Sequence, residues 1–142
     1  MQVKELMSRG VEFVSADVTL REAAEKMKRY DIGAIPVLEH GILKGIITDR
    51  DITIRAVSEG RDPNKTKIKD MMTPEVFSCF EDQEIEEAVK LMEEKQVRRL
   101  VVMNRDNMPV GVLSMGDIAV HGSEKLAGEA FERVSEPTHI RL

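Results

Sequence analysis

Tryptophan is absent from this chain, and all aromatic residues together make up only 4% of it. A base-stacking platform needs exposed rings, so the composition argues against single-stranded nucleic acid as a partner. Clustered positive charge is missing too. Lys and Arg number 21 against 26 Asp and Glu, giving a formal net charge of -5 and a pI near 5.3. A phosphate backbone is gripped by grouped lysines and arginines, so no nucleic acid is expected among the partners. No apolar run approaches the roughly 20 residues of a membrane-spanning helix, so no membrane is expected either. The opening MQVKELMSRG has no apolar stretch of the signal-peptide kind, and the expected location is cytoplasmic.

Enzyme signatures are also scarce. Cys79 is the only cysteine and has no internal disulfide partner; flanked by Ser78 and Phe80, it reads as a buried thiol. The three histidines, His40, His121 and His139, have no metal-ligand spacing. No phosphate loop of the Gly-x-x-x-x-Gly-Lys type occurs, and no Cys–His or Ser–His pair is apparent. The chain is therefore read as a non-enzyme with no catalytic residue, no resident cofactor and no metal.

What remains is ordinary in amount and unusual in order. The 142 residues suit one compact domain or two small, mutually dependent halves, with 42% hydrophobic residues for a core and 33% charged residues for a soluble surface. Nine methionines offset the missing rings with flexible aliphatic volume. The order is a duplication. VKELMS, from Val3 to Ser8, falls on IKDMMT, from Ile68 to Thr73. At the same offset Asp17 falls on Asp82, Met27 on Met92 and Val37 on Val102. From Gly45 onward the offset grows by one residue, so that GIITDRD matches GVLSMGD, with Thr48 on Ser114 and Asp51 on Asp117. The added residue lies where Glu39-His40-Gly41 faces Asn104-Arg105-Asp106-Asn107, a turn, where insertion is cheapest.

Each copy reads β-α-β-β-α. Short strands are expected over Val11 to Val14 and Val76 to Cys79. A helix follows with apolar positions Leu20, Ala23, Ala24 and Met27, mirrored by Ile85, Ala88, Val89 and Met92, the spacing of one buried face. Thr19 with Glu22 has the capping-box form; Glu84 in the threonine's place is a poorer cap, which allows a start at Asp82 instead. Strands are expected over Ile35 to Leu38 and Leu100 to Met103, then Leu43 to Thr48 and Val110 to Ser114. Pro36 lacks a donor, which favours an edge position or a strand start. A second helix opens after each motif and ends near Val57 and Val120. The organisation is residues 1–60 as repeat one, 61–67 as linker, 68–122 as repeat two and 123–142 as a helical tail. The fold class is α+β. A three-stranded sheet with helices on one side leaves its other face bare, and two copies can bury those faces together about an approximate two-fold axis. In the tail, Leu126, Ala127, Ala130, Phe131 and Val134 form an apolar helical face ended by Pro137.

Two readings of the doubled motif stand side by side. Thr48 to Asp51 and Ser114 to Asp117 both fit the capping box that opens a helix. The same geometry suits a ligand. A helix start attracts anions, and an aspartate in its first turn can accept from the paired 2′ and 3′ hydroxyls of a ribose. The glycine three residues before the capping hydroxyl lets something approach the strand closely.

The repeated motif, the leads VKELMS and IKDMMT, and the strands GAIPVLE and RRLVVMN resemble a tandem pair of CBS domains, the Bateman module, over residues 1 to about 122. The resemblance implies a regulatory module that senses an adenine nucleotide, AMP, ADP or ATP, with S-adenosylmethionine or NAD derivatives as further ligand classes. It implies that Asp51 with Thr48, and Asp117 with Ser114, hold the sugar. Each cleft would be completed from the other repeat: Thr73, Val76, Arg98 and Arg99 for the Asp51 site, and Ser8, Val11, Gly33, Ala34 and Ile35 for the Asp117 site. Arg98 and Arg99 stand where repeat one has Gly33 and Ala34, and Arg50 stands where repeat two has Gly116. Arginine's planar fork suits phosphate, so a phosphorylated nucleotide is expected at the Asp51 site and a weaker nucleotide, an adenosyl group or nothing at the other. A surface ion pair of Arg98 or Arg99 with Glu93 or Glu94 is the alternative use. The resemblance also implies a homodimer that signals to a separate effector protein. The competing reading is a nucleotide-free dimeric interaction scaffold whose aspartates only cap helices.

Overall fold

The computed structural model describes residues 1–10 and 12–135, so Val11, Pro137 and His139 lie outside the described residues. It contains two compact units, and they are not the two sequence repeats. One unit joins Met1–Gly10 to Phe77–Leu142, and the other is Val11–Val76. The lead segment of each repeat belongs to the unit of the other repeat.

In the second of these units β1 (Val14–Ser15) runs parallel to β2 (Ala34–Glu39), which pairs antiparallel with β3 (Ile42–Thr48). Helix α1 (Leu20–Tyr30) links β1 to β2, and α2 (Asp49–Asp51) follows β3 and widens into a π-helical turn, Ile52–Val57. The other unit repeats the plan with β4 (Ser78–Phe80), α3 (Ile85–Lys95), β5 (Arg99–Met103), β6 (Pro109–Ser114) and α4 (Met115–His121). It adds α5 (Glu124–Val134).

Helices α1 and α3 bury the stripes that their spacing predicts, with one exception. Leu20, Ala23 and Met27 are buried in α1, whereas Ala24 is exposed. All four positions, Ile85, Ala88, Val89 and Met92, are buried in α3. The Thr19 hydroxyl accepts from the Glu22 N–H at 3.2 Å and caps α1. Glu84 gives α3 no side-chain cap, yet the helix starts at Ile85 and not at Asp82. The reason is tertiary: the Ile85 N–H donates to the Met1 carbonyl at 2.9 Å, just as the Leu20 N–H donates to Thr66. In both helices a neighbouring backbone thus satisfies the first amide, a role separate from that of a capping threonine, which serves the third.

Pro36 corrects a second expectation. It lies in β2, the middle strand of its sheet. Its counterpart Val101 donates its N–H to the Phe77 carbonyl at 3.1 Å, and Val101 pairs with Ser78 in the ladder. Proline has no such donor. The strand beside it accordingly begins only at Val14, opposite Val37, and β1 has two residues where β4 has three.

The leads complete each core. Val3, Leu6 and Met7 are buried with Cys79, Met92, Leu100, Leu113 and Ile118. Ile68 and Met71 are buried with Leu20, Ile35, Val37 and Ile47. Each lead forms a short 3-10 turn, Val3–Glu5 or Ile68–Asp70, held by backbone bonds such as Val3 N–H to Gln83 and Ile68 N–H to Val18, both 2.9 Å. Helix α5 packs on α3 and α4 through Ala127, Ala130 and Val134. Phe131 departs from the predicted buried face: it is 50% exposed.

Candidate functional site

Three pieces of chain build each motif: a strand end, the first helical turn and a lead. Thr48 ends β3 in extended backbone and caps α2. Its hydroxyl accepts from the Asp51 N–H at 3.0 Å, and its own N–H donates to Asp51 Oδ2 at 3.0 Å, a complete capping box. The lead then adds Thr73, whose hydroxyl donates to Asp51 Oδ1 at 3.2 Å. In the other unit Ser114 and Asp117 form the same box, at 3.1 and 2.9 Å, and the Ser8 hydroxyl donates to Asp117 Oδ1 at 3.3 Å.

The motif glycines explain how the lead reaches the aspartate. A Cβ at Gly45 would lie 2.7 Å from the Thr73 carbonyl oxygen and 2.9 Å from Met72 Sδ. At Gly111 it would lie 2.6 Å from the Ser8 carbonyl and 3.0 Å from Met7 Sδ. No side chain fits there. Ile46 and Thr73 exchange backbone hydrogen bonds at 2.9 Å, and Ser8 and Val112 do the same at 2.9 and 3.2 Å. What approaches the strand is therefore the protein's own lead, which carries a hydroxyl to the carboxylate.

Asp51 is only 9% exposed. An ionised carboxylate has about four acceptor positions. The Thr48 amide and Thr73 hydroxyl fill two. The Arg55 Nε stands 3.9 Å from Oδ1, an ion-pair distance too long for a hydrogen bond. Arg55 also donates to the carbonyls of Met71 and Met72, at 3.3 and 3.2 Å, and so ties the lead to the helix that carries Asp51. The sequence reading passed over Arg55, although its spacing four residues after Asp51 is a recognisable helical pair signal. Its counterpart in the other repeat is His121.

The other expected residues are distributed as follows. Arg99 pairs with Ser114 across the β5–β6 ladder, and the Arg98 carbonyl accepts from the Met115 N–H at 3.0 Å. Ala34 pairs with Thr48, and the Gly33 carbonyl accepts from the Asp49 N–H at 2.9 Å. The two edges differ in charge. A Cβ on Gly33 would meet the Asp49 carboxylate at 3.1 Å, while the equivalent edge of the other unit carries two exposed arginines. The Arg98 guanidinium lies over the Phe131 ring, 5.3 Å from its centroid, and does not pair with Glu93, which binds Arg133 at 3.2 Å. Arg50 is exposed, Val76 is half-buried, and the Ile35 side chain is wholly within its core, which leaves only its backbone for any ligand. Arg98 and Arg99 belong to one unit and Asp51 to the other. Cys79 is no nucleophile at neutral pH, because burial pushes its thiol up to about 12.

A doubled three-stranded unit, closed by an exchanged lead and carrying one capped aspartate per copy, defines a tandem CBS pair. The chain belongs to the CBS domain family, which it matches over residues 3–57 and 68–124. It is 41% identical over 134 residues to the CBS domain-containing protein YhcV of Bacillus subtilis (strain 168), covering 94% of each chain. It is similar to the crystal structure of Hypoxic Response Protein I with two coordinated zinc ions, at a TM-score of 0.76 and 34% identity over 87% of this chain and 100% of that one. The crystal structure of CBSX2 in complex with AMP shares the fold, at a TM-score of 0.69 and 22% identity over 83% of this chain and 93% of that one. Among the described residues no group of three or more His, Cys, Asp and Glu comes together that could hold a metal ion. Among them, too, no helix is long and apolar enough to cross a membrane.

Proposed function

We propose that this chain is a regulatory module that binds an adenine nucleotide, AMP, ADP or ATP, and signals its bound state to a separate protein. The observation that carries this reading is the acceptor capacity of Asp51: a nearly buried carboxylate with two positions filled and two left for a vicinal pair of hydroxyls. Ribose offers such a pair. In this reading Thr48 and Thr73 flank the sugar, and Arg50, Arg98 and Arg99 supply phosphate donors. Ser114, Asp117 and Ser8 form the second sugar site, which takes an adenosyl ligand such as S-adenosylmethionine, or an NAD derivative, more weakly or not at all. A protein of the same fold solved with AMP supports the ligand class. Exposed Ile54, Val57 and Val120, on the helices that follow the motifs, support a homodimer, which the mass from light scattering checks.

The complete capping boxes favour a second reading, an interaction scaffold in which both aspartates serve only helix starts. Thermal shift and calorimetry separate the two. For a sensor, a nucleotide at 100 times its dissociation constant adds about 2.7 kcal/mol of stability. Asp51→Ala then abolishes binding, and 2′-deoxy-AMP binds worse than AMP, because the buried carboxylate loses a donor. For a scaffold, no nucleotide shifts the melting temperature, and Asp51→Ala costs only the ~1 kcal/mol of a lost cap. Equal affinity for AMP and its 2′-deoxy form would remove the assigned role of Asp51.

A further inference from the structure

Arg55 touches two parts of the Asp51 motif at once. One nitrogen of its guanidinium, Nη1, donates to the carbonyls of Met71 and Met72 at 3.3 and 3.2 Å, and Nε stands 3.9 Å from Asp51 Oδ1. The residue after those carbonyls is Thr73, whose hydroxyl donates to the same Oδ1 at 3.2 Å. A single side chain therefore holds the backbone that delivers the hydroxyl and lies beside the oxygen that receives it. All of these residues belong to the Val11–Val76 unit, so the arrangement is complete within one unit.

A nearly buried carboxylate needs a compensating charge, and among the described residues Arg55 is the cation within ion-pair distance of Asp51. At 3.9 Å it supplies that charge without filling an acceptor position, which a bidentate arginine would have done. The open positions of the carboxylate are thus left to neutral hydroxyl donors. The bonds to Met71 and Met72 act on the same positions through the lead. Without them the lead is freer to shift, and a shifting Thr73 hydroxyl no longer fixes which acceptor positions of Oδ1 stay open. The other repeat is built differently: His121 stands in the place of Arg55, and α4 is α-helical where the segment that carries Arg55, Ile52–Val57, is π-helical. Single π turns of this kind are rare and frequent at functional sites.

We propose that Arg55 is a positioning residue for sugar recognition. By tying the lead carbonyls to the helix and offsetting the charge of Asp51, it fixes the open acceptor positions of the carboxylate for the vicinal hydroxyls of a ribose. The Asp51 motif is thereby the half of the module that distinguishes ribose from 2′-deoxyribose. This rests on the nucleotide-binding reading of the preceding subsection.

The test is calorimetric titration of the full chain with AMP and with 2′-deoxy-AMP. The readout is the ratio of the two dissociation constants for the binding step that Asp51→Ala abolishes. Loss of one hydrogen bond to a charged group predicts a ratio of about tenfold or more in the wild type. Arg55→Ala should cut that ratio about threefold or more, whereas Arg55→Lys, which keeps the charge and a donor, should retain most of it. In a Thr73→Val background, where no hydroxyl is left to position, Arg55→Ala should change the ratio less than in the wild type. The Arg55 side chain is half exposed, so its variants are expected to fold, which circular dichroism checks. Should Arg55→Ala not fold, Arg55→Gln, which removes the charge and the fork, is read in its place. A purely structural arginine would lower the urea midpoint and leave the ratio alone, and one that contacts phosphate would weaken both ligands alike. An unchanged or larger ratio in Arg55→Ala, an equal loss in Arg55→Lys, or an undiminished effect in Thr73→Val overturns the proposal and leaves nucleotide binding standing. Equal affinity of the wild-type chain for the two ligands, or no binding of either, overturns the sugar role of Asp51 and this proposal with it.

Discussion

At the scale of single residues, Gly45 and Gly111 have the sharpest requirement in the molecule. Sequence spacing indicates that each glycine admits a close approach, but the approaching partner is invisible to it. The structure supplies a lead backbone, with the Thr73 or Ser8 carbonyl closer to the missing Cβ than any ordinary contact. Gly45→Ala must displace that backbone, because neither the strand nor the bridge to Ile46 can yield without breaking hydrogen bonds. We expect a loss of about 1–3 kcal/mol, the cost of overpacking a well-filled site, measured by urea unfolding. The Thr73 hydroxyl moves with its backbone, so the same variant should weaken nucleotide binding. Arg55 shows the converse. Its charge and spacing were legible, yet its role required seeing that the lead carbonyls of Met71 and Met72 lie within reach.

Among elements, local pattern predicted existence well and ends poorly. Both stripe-bearing helices, both hairpins and both capping boxes follow from spacing, since each is a contest among near neighbours. The start of α3 and the late start of β1 do not, because the Met1 carbonyl settles the first and the missing donor of Pro36 the second. The inserted residue of the second hairpin has a consequence of its own. The longer turn carries Arg105 onto Asp82, with hydrogen bonds of 2.9 and 2.8 Å, and over the Phe80 ring at 4.0 Å. The hydrogen bonds from Arg105 hold the Asp82 carboxyl below its ordinary value of 3.8. A carboxyl lowered on folding stabilises the fold above that ordinary value, and the contribution disappears as pH falls through the lowered one. Arg105→Ala should therefore return the Asp82 midpoint toward 3.8 in an NMR titration and remove its share of the acid dependence of stability. Both groups are solvent-exposed, so this share is small.

For the whole molecule, the governing fact is the exchange of leads. Val3, Leu6 and Met7, at 0%, 3% and 8% exposure, sit in the core built around repeat two. Deleting residues 1–10 should consequently destabilise the unit that holds Asp117, although those residues belong to repeat one. Burial of each such side chain contributes about 1.5–3 kcal/mol, so the deletion should unfold that unit at a lower denaturant concentration than the unit that holds Asp51. Loss of amide protection confined to residues after Phe77 in hydrogen exchange would display it; equal loss in both units would contradict the exchange. The sequence by itself determined that the chain is a duplication, that each copy alternates strands with one-sided helices, and that a hydroxyl and an aspartate open the helix after each hairpin. Periodicity, capping and turn chemistry act within a few residues, and a single copy displays them. Only the tertiary structure decided which lead closes which sheet, why the motif begins with glycine, and that Arg98 lies over the Phe131 ring of α5. These are contacts between segments far apart in the chain, and they are selected by shape and by unpaired backbone groups that no local pattern records.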